Sequence, residues 1–115
     1  MLKKIYLATA YTGNEKESFE TVTKVSGMLM EMQYIVFSPV THGHTIANWP
    51  GIKLPIDHKY WLAQCEPFIS DWAEELWVLN EWRYSEGVTW EINLAEKLNI
   101  PVKYISYKNG VLRLE

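Results

Sequence analysis

Residues 75–105 read ELWVLNEWRYSEGVTWEINLAEKLNIPVKYI, and this stretch decides the fold. Its opening, ELWVL, is a nearly continuous apolar run of strand length, and the segment NEWRYSEG that follows ends in a hydroxyl and a glycine, as a loop would. Residues 88–98 then place Val88, Ile92, Ala95 and Leu98 at three- and four-residue steps, the period of an amphipathic helix. PVKYI at 101–105 is β-rich again. A strand, a loop, a helix and a second strand in this order make a right-handed crossover between parallel strands.

The pattern extends upstream. KKIYLAT (3–9) reads as a strand delivering the polar loop AYTGNEKES, and Phe19, Val22, Val25, Ser26, Leu29 and Met32 mark a helix over about 17–33. YIVFS (34–38), ended by Pro39, has the continuous apolar character of a strand buried on both faces. Residues 39–55 read as a long loop, with Gly43, Pro50 and Gly51 as breakers and His42, His44, Asn48 and Trp49 as its polar and aromatic content. A further helix is expected from about 56 to 71, interrupted at Pro67, which lacks a backbone donor. Downstream, Asn109-Gly110 is a two-residue hairpin signal that turns 111–114 back onto the last strand. The expected fold is therefore α/β: one three-layer domain over residues 1–115, with a mainly parallel sheet of four to five strands, flavodoxin- or Rossmann-like.

Composition narrows the partners. A chain of 115 residues that is 48% hydrophobic can build one core. A net charge of -3 with no run of Lys or Arg argues against nucleic acid or an anionic membrane as the partner, which leaves a small molecule. The single cysteine, Cys65, cannot close an internal disulfide, and no signal-peptide or membrane-span pattern is seen, so a cytoplasmic protein is expected. Cys65 and His58 read as structural.

In an open α/β sheet the ligand lies at the carboxyl ends of the strands, which points to the loops over 8–16, 38–55 and 80–87. In YSEGVTWE (84–91), Gly87 permits close backbone approach, the following amides open a helix, and Ser85 adds a hydroxyl. Such a turn can seat an anion such as one phosphate. Each residue also has a plainer reading: Ser85 as a helix cap, and Glu91 as an acid offsetting the helix dipole. His42 and His44 have no defined third ligand beside them, so no metal is expected. Trp49, Trp61 and Trp82 lie near the expected cleft, where an indole could stack on a flat ligand or simply pack, and Trp72, Trp77 and Trp90 suit a core or a subunit interface.

The strand followed by Ser85-Glu86-Gly87-Val88-Thr89-Trp90-Glu91, and then Ala95, resembles the S-x-G-V-x-x-E signature of the nucleoside 2-deoxyribosyltransferase-like superfamily, which includes the 2′-deoxynucleoside 5′-monophosphate N-glycosidases. IYLATAYT (5–12) resembles that superfamily's first strand and loop, and FSPVTHGH (37–44) with Trp82 and Ser85 is similar to its short bacterial and phage branch. The likeness spans roughly residues 3–105. It implies that Glu91 is the nucleophile on the anomeric carbon, with water or a second base completing the reaction. Ser85 and Gly87 would hold a 5′-phosphate, with Thr9, Tyr11, Thr12 and Gly13 contributing from the first loop. Superfamily transferases acting on free nucleosides usually carry an acid at the serine position, so Ser85 favours a nucleoside monophosphate.

The resemblance also implies a second acid eight residues before the one that opens the third strand, which falls on Glu66 counted from Glu74, with Asp71 as the alternative. Like-charge repulsion beside Glu91 could keep that acid protonated for the leaving base. Tyr11 is expected to contact the sugar or phosphate or to orient Glu91, although Ala10 departs from the Gly or Pro common before it. One of His42 and His44 is expected to line the base pocket or to help protonate the leaving group. The reading requires no cofactor and implies a homodimer or higher oligomer. Its rivals are base exchange between deoxynucleosides and a non-catalytic module that binds a nucleotide signal.

Overall fold

The structure, a computed structural model, describes residues 2–115. The first apolar run forms β1 (Lys4–Thr9), in which Ile5, Tyr6, Leu7 and Ala8 are all fully buried. Burial at four successive positions means that both faces of the strand are covered. α1 (Glu15–Glu31) follows and turns Val22, Val25, Ser26 and Leu29 inward. It stops in a Schellman turn: Gln33 takes φ 72°, its N–H meets the Met30 carbonyl at 2.9 Å, and the Tyr34 N–H meets Leu29 at 3.1 Å. The chain then enters β2 (Ile35–Phe37).

The deciding stretch folds as read. β3 (Glu75–Leu79) is buried at every position, α4 (Glu86–Lys97) buries Val88, Glu91, Ile92 and Ala95, and β4 (Val102–Lys108) follows. Asn109 and Gly110, at φ 53° and 76°, make the hairpin to β5 (Val111–Leu114), which pairs antiparallel with β4. The five strands are ordered β2-β1-β3-β4-β5, with β1 parallel to both β2 and β3 and β3 parallel to β4. This is the flavodoxin-like order, whose switch point lies between β1 and β3.

Two cores flank the sheet. Ile5, Leu7, Trp77, Leu79 and Ile105 meet Val22, Val25 and Leu29 of α1 on one face. On the other, Tyr6, Ala8, Leu76 and Val78 meet Val88, Ile92 and Ala95 of α4 together with Ile69. Each fully buried Leu, Ile or Val contributes roughly 1.5–3 kcal/mol relative to exposure.

Two expectations need correction, those for residues 39–47 and for β2, while the helix interrupted at Pro67 is found. Residues 39–47 are not loop but α2 (Pro39–Ala47): Ser38 caps it by accepting the Thr41 N–H at 3.1 Å, and Pro39 occupies the first turn, where a missing N–H costs nothing. α3 (His58–Pro67) begins after the Asp57 cap, and beyond Pro67 the chain widens into one π-helical turn (Phe68–Trp72), with the Ala73 N–H on the Phe68 carbonyl at 3.0 Å. β2 is an edge strand bonded only to β1, so Ile35 is exposed and Val36 and Phe37 are half-buried, rather than covered on both faces.

At the amino ends of the strands, the buried Glu75 carboxylate receives Lys3 Nζ at 2.7 Å, Lys103 Nζ at 3.2 Å and Trp77 Nε1 at 2.8 Å. Burial alone would raise its pKa, but these donors outweigh burial and hold it below the usual carboxylate value. Among the described residues, no helix is long and apolar enough to cross a membrane.

Candidate active site

At the carboxyl edge, Thr9 of β1 stands beside Leu79 of β3, and the loops leaving these strands diverge at the switch point. α4 leads back from this edge across the sheet. Glu91 is the sixth residue of α4 and shares the inward stripe with Val88, Ile92 and Ala95. It is only 8% exposed. Its Oε2 accepts a hydrogen bond from the hydroxyl of Tyr6, a fully buried β1 side chain. Burial pushes the Glu91 carboxyl up to about 7, and the Tyr6 hydrogen bond opposes that rise. The Tyr6 phenol is pushed well above its ordinary value, first by burial and then by the Glu91 charge, so it remains a proton donor. Cys65 of α3, its thiol also raised by burial, adjoins this pair.

The dipole explanation of Glu91 does not survive this placement. Because α4 starts at Glu86, Glu91 lies in its second turn, beyond the reach of that effect, and Glu86 is the first-turn acid. Ser85 does act as the cap: its Oγ accepts the Val88 N–H at 3.2 Å, and its carbonyl accepts the Thr89 N–H at 3.0 Å. The amides of Glu86 and Gly87 precede the first intrahelical bond and have no partner within the helix. A Cβ on Gly87 would meet only Ser85 Oγ, at 4.0 Å, so packing within the chain does not demand a glycine there.

Tyr11 does not reach Glu91 as its orienting group; Tyr6 fills that place. The Tyr11 hydroxyl lies 2.7 Å from His44 Nδ1, and the His44 ring stacks on Phe19 at 4.2 Å. His42 is exposed on α2 and lies 5.7 Å from Phe37, which lies 5.8 Å from Tyr6. Thr9 is half-buried at the end of β1, while Thr12 and Gly13 are exposed in the turn after it. Gly13 takes φ 98°, and its N–H donates to Glu15 Oε2 at 3.0 Å.

Glu66 is exposed on α3 with no hydrogen bond to Glu91, and Asp71 is exposed in the π-turn. Successive helical residues point about 100° apart, so with Cys65 facing the sheet Glu66 faces away. The structure therefore brings Tyr6 and Cys65, rather than a second carboxylate, to Glu91. Their signal in the sequence was slight. A tyrosine between Ile5 and Leu7 in a fully buried strand must find a partner for its hydroxyl, and Glu91 is the one acid on the apolar stripe of α4.

Trp82, in the loop between β3 and α4, lines a cleft of about 300 Å³ beside β4, at 5.7 Å from Tyr104 and with Arg83 over its ring. Among the described residues, no three His, Cys, Asp or Glu side chains are grouped so as to hold a metal ion.

The strand order defines a doubly wound α/β domain. Residues 3–107 match the family described as a domain of unknown function (DUF1937), and the chain belongs to that family. Among solved structures it is similar to the 2-deoxyribosyltransferase of the psychrotolerant bacterium Bacillus psychrosaccharolyticus. The two share 23% identity over 96% of this chain and 77% of that one, with a TM-score of 0.65, which is a likeness of fold. No curated protein matches the chain.

Proposed function

We propose that the chain cleaves the N-glycosidic bond of a (deoxy)nucleoside 5′-monophosphate, with Glu91 as nucleophile. The observation that carries this reading is the buried Glu91 carboxyl, fixed by Tyr6 and poised near neutrality below the carboxyl edge. In its ionised form Glu91 attacks the anomeric carbon as the base departs, giving a glycosyl ester that water then hydrolyses. A fixed carboxylate suits this step because the transition state resembles an oxocarbenium ion. A pKa of about 7 leaves a working share of anion near pH 7.

Ser85 and Gly87 form the phosphate seat in this reading, with Thr9, Tyr11, Thr12 and Gly13 on the facing loop. The free amides of Glu86 and Gly87 supply donors at the positive end of α4. Base exchange is the second reading, favoured by the name of the similar solved enzyme, a 2-deoxyribosyltransferase. The two reactions share the glycosyl ester and differ in whether water or a base meets it.

The test is incubation with ribo- and deoxynucleoside monophosphates, and separately with deoxynucleosides plus free bases, following base release or exchange by chromatography. Glu91→Ala should lower turnover by roughly 10³-fold or more. Release that survives this change refutes the mechanism. Tight binding without turnover, unchanged in Glu91→Ala, makes the chain a nucleotide-binding module instead.

A further inference from the structure

We infer that His44 is a positioning residue for the phosphate end of the substrate: through Tyr11 it holds the β1–α1 loop in one shape at the carboxyl edge. This rests on the nucleotide reading above, in which Thr9, Thr12 and Gly13 supply the loop's side of the phosphate seat.

That loop has little of its own to hold it. Thr12 and Gly13 are exposed, and a Cβ on Gly13 would meet nothing within 4 Å. Two of its hydrogen bonds are local, from the Asn14 N–H to the Tyr11 carbonyl at 3.3 Å and from the Gly13 N–H to the Glu15 carboxylate at 3.0 Å. Among the described residues, the one polar tie from residues 11–14 to a distant part of the chain is the 2.7 Å hydrogen bond between the Tyr11 hydroxyl and His44 Nδ1, which spans 33 residues.

The anchor at the other end of the tie is rigid. The His44 ring stacks on Phe19 of α1, with centroids 4.2 Å apart and planes 22° apart, and Tyr11 meets the same ring edge-on. One turn earlier on α2, the Thr41 hydroxyl lies 2.7 Å from that of Thr23 on α1. Ser38, the cap of α2, reaches the same Thr41 through its hydroxyl at 3.1 Å. α2 is thus fixed to α1, and the loop that joins β1 to α1 is tied back to this pair of helices. Burial raises the Tyr11 phenol above its ordinary value, so it keeps its proton through neutral pH.

A loop preset in its bound shape spares the substrate the ordering of that segment, and the gain falls on binding. Glu91 lies under α4, on the face of the sheet opposite α1, and the tie touches neither it nor Tyr6. Loss of the tie therefore acts on KM and not on the chemical step.

The test measures kcat and KM for the best of the common 2′-deoxynucleoside 5′-monophosphates, together with the affinities of 2-deoxyribose 5-phosphate and of the free base. His44→Ala should raise KM about 5- to 10-fold, weaken the sugar phosphate by the same factor, and leave kcat, its acid limb and the affinity for the base within about twofold. Retained kcat also reports that the variant is folded. His44→Asn, which returns an acceptor close to the place of Nδ1, should recover most of the loss. Tyr11→Phe should raise KM by a similar factor, and the double variant should exceed either single one by less than about twofold, because both remove the same tie. An unchanged KM, a fall in kcat alone, equal weakening of base and sugar phosphate, or losses that multiply in the double variant overturn the assignment and leave Glu91 in place. If the unaltered protein turns over no nucleotide, the glycosidic reading falls; sugar-phosphate binding that is absent or indifferent to His44→Ala then overturns this inference as well, and binding weakened by it upholds the tie.

Discussion

Replacing Glu91 by Gln should make the protein more stable at alkaline pH while removing its activity. The side chain is almost wholly buried, and its carboxyl is raised from 4.5 to about 7. Between those two values the folded state keeps a proton that the unfolded state releases, so stability falls as pH rises through this window and levels off above about pH 8. At about 1.4 kcal/mol for each tenfold change in proton affinity, the full loss is about 3 kcal/mol. Glutamine carries no proton to lose, and its carbonyl can still accept from Tyr6. Urea unfolding at fixed pH steps from 4 to 9 should therefore give two curves that coincide near pH 4 and separate to about 3 kcal/mol at pH 8. In melting temperature the separation is on the order of 10 °C for a domain of this size. Other carboxylates cancel in the difference curve, Glu75 among them, since it contributes in the opposite sense. Parallel curves across the range would mean that the Glu91 carboxylate is solvated in the folded protein, and the account of a nucleophile poised by burial would fall.

Tyr6→Phe deletes the donor that opposes the rise in the Glu91 pKa, so the acid limb of the pH–rate profile should move to higher pH, and thermal unfolding should show a loss of about 1–3 kcal/mol from the unpaired carboxyl. Glu75→Gln removes the anion shared by two partly exposed lysines; with its folded pKa depressed, Glu75 contributes stability above its unfolded pKa that vanishes on acidification. The variant should be weaker by about 1–2 kcal/mol at pH 7 and equal to the parent at low pH, with turnover intact because the cluster lies at the far end of the sheet. Gln33→Gly relieves a left-handed backbone at the end of α1 and should raise stability by roughly 0.5–1 kcal/mol in denaturant melts.

The strands and the two long helices were legible because their apolar periods are unbroken, and Glu91 was conspicuous as an acid on an apolar stripe. α2 escaped notice because it buries no residue completely and so carries no apolar stripe, while its proline and glycine imitate a loop. The edge position of β2 was hidden because an apolar run does not say how many neighbours a strand has. Glu66, read as the second acid with Asp71 as the alternative, lies one residue beyond the inward Cys65, and about 100° on a helix is enough to put its side chain in solvent. Tyr6 was missed for another reason: knowing that even-numbered β1 side chains face α4 requires the packing of elements remote in the chain.

That remoteness bears on how the protein folds. Tyr6 and Glu91 stand 85 residues apart in sequence, so the chain must close a loop of most of its length before their hydrogen bond can form. Contacts of such separation are entropically late. A chain emerging from the ribosome completes β1 long before α4 exists, and until then the Tyr6 hydroxyl has only water as a partner. The pair that would perform the chemistry is thus assembled at the end of folding, and recovery of catalytic function after denaturation would time the last docking step rather than the first collapse.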